Sequence, residues 1–363
     1  MKKNNDIRMF FPRLLHLKIG TTKMRNSIVL CLGLLLLGYS TLCAQGGVTK
    51  VGTAAAKFLS IDVGPQATAM GSAYVSIAND VSAMYWNPAG VARMNNFEAA
   101  FSSTKWIADI SFNYAGVVVP VGGFGTLGLN ATFLTMDQIE RTTTESPDGT
   151  GEFFDAGSYA FGLVYSRNLT DQFSIGVNVK YINERLYHSN ADGFALDVGA
   201  LFDTHFNGLK LGMCISNYGT KMQLDGQDFQ VQHDVYPSVA GNNGNINSRL
   251  STDPYDLPLL FRLGVSMDVL KGWANSNLTL SADALHPSDD AEYMNVGAEY
   301  VFENLIALRA GYKGLFAKDS EFCFHADGGI RYEIGGTTLK VDYSYISFGV
   351  LTSVHMFSVG LGL

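Results

Sequence analysis

The chain has 363 residues, 47% of them hydrophobic and 16% charged, with a formal net charge of −8. Setting aside residues 1–44, which read as a leader, leaves 18 basic against 32 acidic side chains, a net charge of −14 that argues against a nucleic-acid partner. No later apolar run approaches the ~20 residues that a spanning helix needs, so no helical anchor is expected in the mature chain.

The leader comes first in chain order. Lys23 and Arg25 precede the apolar stretch Ile28 to Leu37, and Leu42-Cys43-Ala44 offers a small residue for cleavage before Gln45. This predicts Sec-type export with cleavage near Ala44, with Met24 as an alternative start. Lipidation at Cys43 is the competing reading, but Leu42 stands where a lipoprotein site usually has a small residue.

Residues 45–96 carry too many small side chains for a lipid-facing strand, above all in Gly64 to Ala73. Asn79-Asp80-Val81-Ser82 is predicted to cap a helix starting at Ala83, and Asn87-Pro88-Ala89-Gly90 stops it. A compact segment of this kind is expected to fold back as a plug, or hatch, inside a barrel.

From residue 97 to the end the pattern has a period of two. Phe173, Ile175, Val177, Val179 and Tyr181 alternate with Ser174, Gly176, Asn178 and Lys180, and Leu339, Val341, Tyr343 and Tyr345 alternate with Lys340, Asp342 and Ser344. Fourteen such segments start near residues 97, 108, 123, 155, 172, 191, 208, 258, 275, 291, 305, 321, 337 and 354. Spread over the mature chain they recur roughly every 23 residues, the rhythm of membrane hairpins and not the 8–12 of a soluble sandwich. Even-to-odd connections are short, as at Glu303-Asn304 and Gly335-Gly336, while Asp137 to Phe154 and Tyr218 to Leu257 are long. The expected fold is all-β, a transmembrane antiparallel barrel of about fourteen strands with a small N-terminal hatch, in the outer membrane of a Gram-negative bacterium and in contact with its lipid.

The last segment alternates Phe357, Val359, Leu361 and Leu363 with small or polar residues up to the carboxylate, and reads as a terminal-strand signal. The longest loop offers Tyr218, Phe229, Tyr236, Pro237, Tyr255 and Pro258 as a partner-binding surface.

Chemistry is sparse. Gly123-x-Gly125-x-x-Gly128 spells a dinucleotide fingerprint, but a strand pattern follows where the phosphate-binding motif needs a helix. His325 and Asp327 share a strand face without a nearby nucleophile, and with Arg331, Lys340, Asp342, Asp283, Arg309 and Glu299 they read as an interior charge ladder. Cys214 and Cys323 lack metal-ligand spacing. No catalytic residue, cofactor or metal is expected.

Several runs resemble one family. Val51-Gly52-Thr53 through Phe58-Leu59, Ala67 to Gly71, Ala73-Tyr74-Val75, Asn79 to Ala83 and Tyr85 to Gly90 are similar to the N-terminal signature of the PorV/PorQ family of FadL-like outer-membrane proteins. Asn217 to Met222, Leu257-Pro258, Arg262-Leu263-Gly264, Phe348-Gly349 and Val354 to Ser358 extend the likeness over nearly all the mature chain. The resemblance implies a fourteen-stranded barrel of Bacteroidota with a hatch, marked here by Gly64, Met70, Gly71, Asp80, Trp86, Asn87, Pro88, Ala89 and Gly90. It further implies a non-enzymatic component of type IX secretion. Such a component binds or shuttles cargo with C-terminal sorting domains and meets the translocon or attachment proteins. The alternative is a FadL-like channel with a hydrophobic small molecule in its lumen.

Overall fold

The computed structural model describes residues 51–363 apart from 205, 207, 242, 243, 274, 318–323 and 349–352; the leader, the start at Met24 and Cys323 lie outside the described residues. Fourteen long strands make up the barrel: β1 (Glu98–Lys105), β2 (Ser111–Pro120), β3 (Thr126–Thr135), β4 (Ala156–Asn168), β5 (Phe173–Leu186), β6 (Ser189–Asp203), β7 (Leu209–Gly219), β8 (Leu260–Trp273), β9 (Ser276–Pro287), β10 (Tyr293–Phe302), β11 (Ile306–Leu315), β12 (Phe324–Ile334), β13 (Thr337–Ser347) and β14 (Ser353–Gly362). Each begins within about three residues of its expected start, because hydrophobic alternation marks the stretch that must cross lipid.

Every strand pairs antiparallel with its sequence neighbours, and closure comes from β1 against β14, where Glu98 stands opposite Gly362 and Lys105 opposite His355. Closure leaves no unpaired edge, which is what a sheet in lipid requires. Two irregularities in register carry β8 on to Trp273, so the turn expected over 271–274 is shorter than the sequence pattern suggests.

The two faces differ as the alternation demands. Phe101, Leu129, Leu163, Val179, Phe194, Leu263, Tyr300, Leu308, Phe357 and Leu361 point outward and are exposed, while their sequence neighbours, such as Ser102, Asn178, Arg262 and Glu299, are buried inside. Inverted burial of this extent belongs to a barrel whose outer solvent is lipid. The connections β1–β2, β3–β4, β5–β6, β7–β8, β9–β10, β11–β12 and β13–β14 share one end, called here the long-loop end. Two of them carry small hairpins of their own, Ile139–Glu140 with Phe153–Phe154 and Gln230–His233 with Ile246–Arg249.

Candidate functional site

Residues 54–94 run inside the barrel. They hold two short helices, α1 (Pro65–Ala69) and α2 (Ala83–Trp86), and two 3-10 turns, Lys57–Ser60 and Pro88–Arg93. Elements this short leave most of their backbone groups unpaired, and side chains of the wall complete them. Asp283 accepts from the Val75 amide (3.0 Å), Ser281 donates to the Ala73 carbonyl (2.7 Å), and His325 Nδ1 lies 2.8 Å from the Thr68 carbonyl. Asn168 and Asn178 donate to the carbonyls of Ala92 and Met84. The polar inner face therefore serves as the capping layer for the segment, each bond contributing about 1 kcal/mol.

Contact between wall and segment requires glycine. Gly116, Gly128, Gly176, Gly199, Gly212, Gly264, Gly297 and Gly311 face inward on eight different strands, and a β-carbon on any of them would stand 2.1–2.5 Å from an atom of Val75, Met70, Gly71, Met84, Asn87 or Pro88. This belt is invisible to a motif search, since each glycine sits in its own strand. Its signal in the sequence is glycine recurring at polar-face positions.

The residues that carried the family resemblance have packing roles. Gly71 takes a positive φ of 62° and presses its backbone on Tyr312, which no side chain at that position would allow. Trp86 donates its indole N–H to the Val63 carbonyl (2.8 Å), and Asn87 donates to the carbonyls of Val75 (2.8 Å) and Ala200 (3.1 Å) while capping the turn that starts at Pro88. Ala89 and Met70 are fully buried, Gly64 precedes α1 at φ 81°, and Gly90 lies against the Ala78 carbonyl. The expected cap of α2 differs: neither Ser82 nor Asn79 bonds the helix start with its side chain. Ser82 donates instead to Asp80 (2.6 Å), and Tyr74 to Asn79 (3.0 Å), because the four-residue helix is held by its surroundings.

The interior charges form a hub and not a relay. Arg309 donates to Glu299 (2.6 Å), Asp327 (2.6 Å) and Asp342 (2.7 Å), and its side chain is fully buried. Asp327 thus serves Arg309, while His325 serves the Thr68 carbonyl, so the two do not bond each other. Arg331 lies 3.9 Å from Glu299, and Lys340 pairs with Glu98 (2.8 Å). Cys214 is buried and free, and no set of three potential metal ligands occurs among the described residues. After Gly125, at φ 124°, the chain enters β3 and not a helix, so the glycine fingerprint has no phosphate-binding context.

A cavity of about 450 Å³ opens at the long-loop end between segment and wall. The segment contributes Lys57, Phe58, Ile61, Asp62, Thr68 and Trp86; the wall and its loops contribute Trp106, Arg262, Leu285, Tyr293, Asn295, Lys313, His325 and Phe348. Trp106 and Phe348 pack edge to face at 5.2 Å. Two ion pairs join segment to wall at this level, Lys57 with Asp289 and Asp62 with Lys313. Burial alone would raise the Asp62 carboxyl, but the Lys313 ammonium and the Ser72 hydroxyl outweigh it and hold Asp62 below the usual carboxylate range.

The longest loop grips the outer end of the segment. Ala55 donates its amide to the Asp256 carbonyl (2.9 Å), Met222 and Tyr255 exchange amide bonds (2.9 Å each), and buried Met222 and Leu257 pack with Ala56, Phe58 and Leu59. Asn217, at φ 63°, donates to the Pro258 carbonyl (3.0 Å) and closes the loop's base. Of the residues expected on a partner surface, Tyr218, Tyr236, Pro237 and Tyr255 are exposed, Phe229 is half-buried, and Pro258 is buried and lines the cavity instead. In the last strand Phe357 and Leu361 face outward and exposed, Val359 is half-buried on the same face, and Leu363 is exposed at the end.

No family model matches the chain, and no curated protein matches it in sequence. Solved structures do match in fold. The CymD monoaromatic hydrocarbon channel aligns at a TM-score of 0.51 and 11% identity, over 83% of this chain and 96% of that one. A Pseudomonas aeruginosa FadL homologue gives 0.50 at 12% identity, over 83% and 98%. The Pseudomonas putida toluene transporter TodX gives 0.50 at 12%, over 82% and 95%. At such identities the likeness is one of fold, and the fold is that of the FadL-like barrels: fourteen antiparallel strands closed on themselves.

Proposed function

We propose that the protein is an outer-membrane channel for small, largely apolar molecules, with residues 54–94 as its gate. The observation that carries this reading is the cavity at the long-loop end, whose wall is shared between the barrel and the inner segment. An occupant of that cavity touches the very element that fills the barrel beneath it. The fold neighbours named as a monoaromatic hydrocarbon channel and a toluene transporter support the same reading. The outward apolar band supports a barrel set in lipid, and in this reading the long-loop end faces the cell exterior and the short turns face the periplasm.

A cysteine pair at Ala73 and Ser281, which meet across the segment–wall contact, tests it. Whole-cell uptake of labelled toluene should stop when the pair is oxidised and return on reduction; uptake that ignores the lock defeats the gate.

A second reading, a docking barrel for type IX cargo as in the PorV/PorQ family, draws on one observation. The loop between β7 and β8 exposes four large apolar side chains, Tyr236, Val239, Ile246 and Leu250. Deleting 230–249 should then release secreted sorting-domain proteins from detergent extracts of the outer membrane. Unchanged co-purification counts against it.

A further inference from the structure

The cavity sorts its own charges unevenly. Three cationic side chains and three carboxylates line it: Lys57 pairs with Asp289 and Lys313 with Asp62, while the third carboxylate, Asp290, is exposed at the rim and forms no ion pair with the third cation, which lies buried. That cation, Arg262, has no carboxylate within 4 Å among the described residues, although it is only 4% exposed. Its guanidinium lies over the rings of Tyr85 and Trp86, at 5.5 and 5.2 Å, and Nη1 donates to Ser216 (2.9 Å). Its Nε finds no partner. Ring faces contribute about 0.5–2 kcal/mol to such a cation, well short of what removing a charge from water costs.

A second donor in the same cavity is in the same condition. Asn295 is fully buried, its Oδ1 accepts from the Gly314 amide (3.0 Å), and its Nδ2 has no partner. The unpartnered acceptors of the interior, such as Asp283 Oδ1 and Asn178 Oδ1, belong to side chains that do not line this cavity. What the cavity lacks is therefore an acceptor, and the charge of Arg262 asks for an anionic one. The rest of the lining is largely aromatic and aliphatic, with Phe58, Trp86, Trp106, Tyr293 and Phe348 offering ring faces, and the volume holds a body of two fused rings.

We propose that the cavity takes a compact carboxylate, an acid on an aromatic or alicyclic body, with Arg262 and Asn295 holding the acid and the aromatic walls holding the body. This rests on the reading of the cavity as a ligand site, and it makes Arg262 the residue that separates an acid from the parent hydrocarbon. Ligand recognition, and not only hydrophobic partition, then sets what the barrel admits.

Equilibrium dialysis of the whole protein in detergent, corrected against empty micelles, tests this with two probes, 2-naphthoate and naphthalene. The expected result is naphthoate bound at least tenfold more tightly. Arg262→Gln should bring the ratio to about one while naphthalene binding stays. Asn295→Asp, which sets a like charge beside the acid, should weaken naphthoate alone; heat-dependent gel migration reports that both variants remain folded. Naphthalene bound as tightly as naphthoate, or a preference that survives Arg262→Gln in folded protein, overturns the acid assignment while leaving a hydrocarbon site standing. If neither probe binds, the ligand site itself is lost, and the assignment with it.

Discussion

Gly311 of the barrel wall and Gly71 of the inner segment approach so closely that a β-carbon on Gly311 would stand 2.1 Å from the Gly71 amide nitrogen. Two glycines meet because neither backbone can yield: β11 is tied into the sheet on both sides, and Gly71 leaves α1 in a left-handed turn. Gly297→Ala tests the same contact one strand away, where the added carbon would lie 2.3 Å from the Met70 carbonyl oxygen. The expected cost is about 1–3 kcal/mol, taken up by displacement of the segment. Conductance in planar bilayers should rise while the heat-dependent gel shift of the barrel persists. Gly328→Ala, with open space around it, should change neither.

Arg309 pairs with three carboxylates at once. Arg309→Met is expected to destabilise the protein by about 3–5 kcal/mol, since Asp327 and Asp342 would remain buried without a cation and Glu299 would keep only Arg331 at 3.9 Å. Urea titration followed by tryptophan fluorescence measures the loss. Adding Asp327→Asn should recover part of it, and a double variant no better than the single one would show that the hub is not electrostatic.

The grip of the long loop on the segment depends on apolar burial. Leu257→Ala should cost about 2–5 kcal/mol locally, freeing residues 54–59 while the strands below remain paired. Limited proteolysis should then cut near Lys57 in the variant faster than in the parent. Equal rates would mean that the polar contacts of this end, the Ala55 amide on Asp256, the Ala56 amide on Glu184 and the Lys57–Asp289 pair, hold it without the leucine.

Two segment carboxyls predict how acidity acts. Burial raises half-buried Asp80 above its ordinary value, against the hydroxyl of Ser82, so the folded segment prefers it protonated and gains stability as pH falls from neutral toward about 4. Asp62 is held below its ordinary value, so its contribution is complete above about 4 and is lost as pH falls further, through its folded-state value. Hydrogen-exchange protection of the segment amides should therefore peak in mild acid. Asp80→Asn should flatten the rise toward about pH 4, and Asp62→Asn should remove the fall below it; a parent profile that only rises toward acid contradicts the Asp62 assignment, and one that only falls contradicts the Asp80 assignment.

Taken by itself, the sequence determines the barrel. Residues such as Phe173, Ile175 and Val177 against Ser174, Gly176 and Asn178 assign each strand its faces, and loop parity orders the fourteen, because both patterns are local and repeat every second residue or every hairpin. The site is decided at longer range. Gly176 reads as a weak strand residue until Pro88 lies against it, His325 and Asp327 read as a pair until Thr68 and Arg309 claim them separately, and Pro258 reads as loop until it lines the cavity. Each of those pairings joins residues tens to hundreds of positions apart, and only closure of the barrel around residues 54–94 sets which inward side chain meets which backbone group, and leaves Arg262 as the cavity cation without a carboxylate beside it.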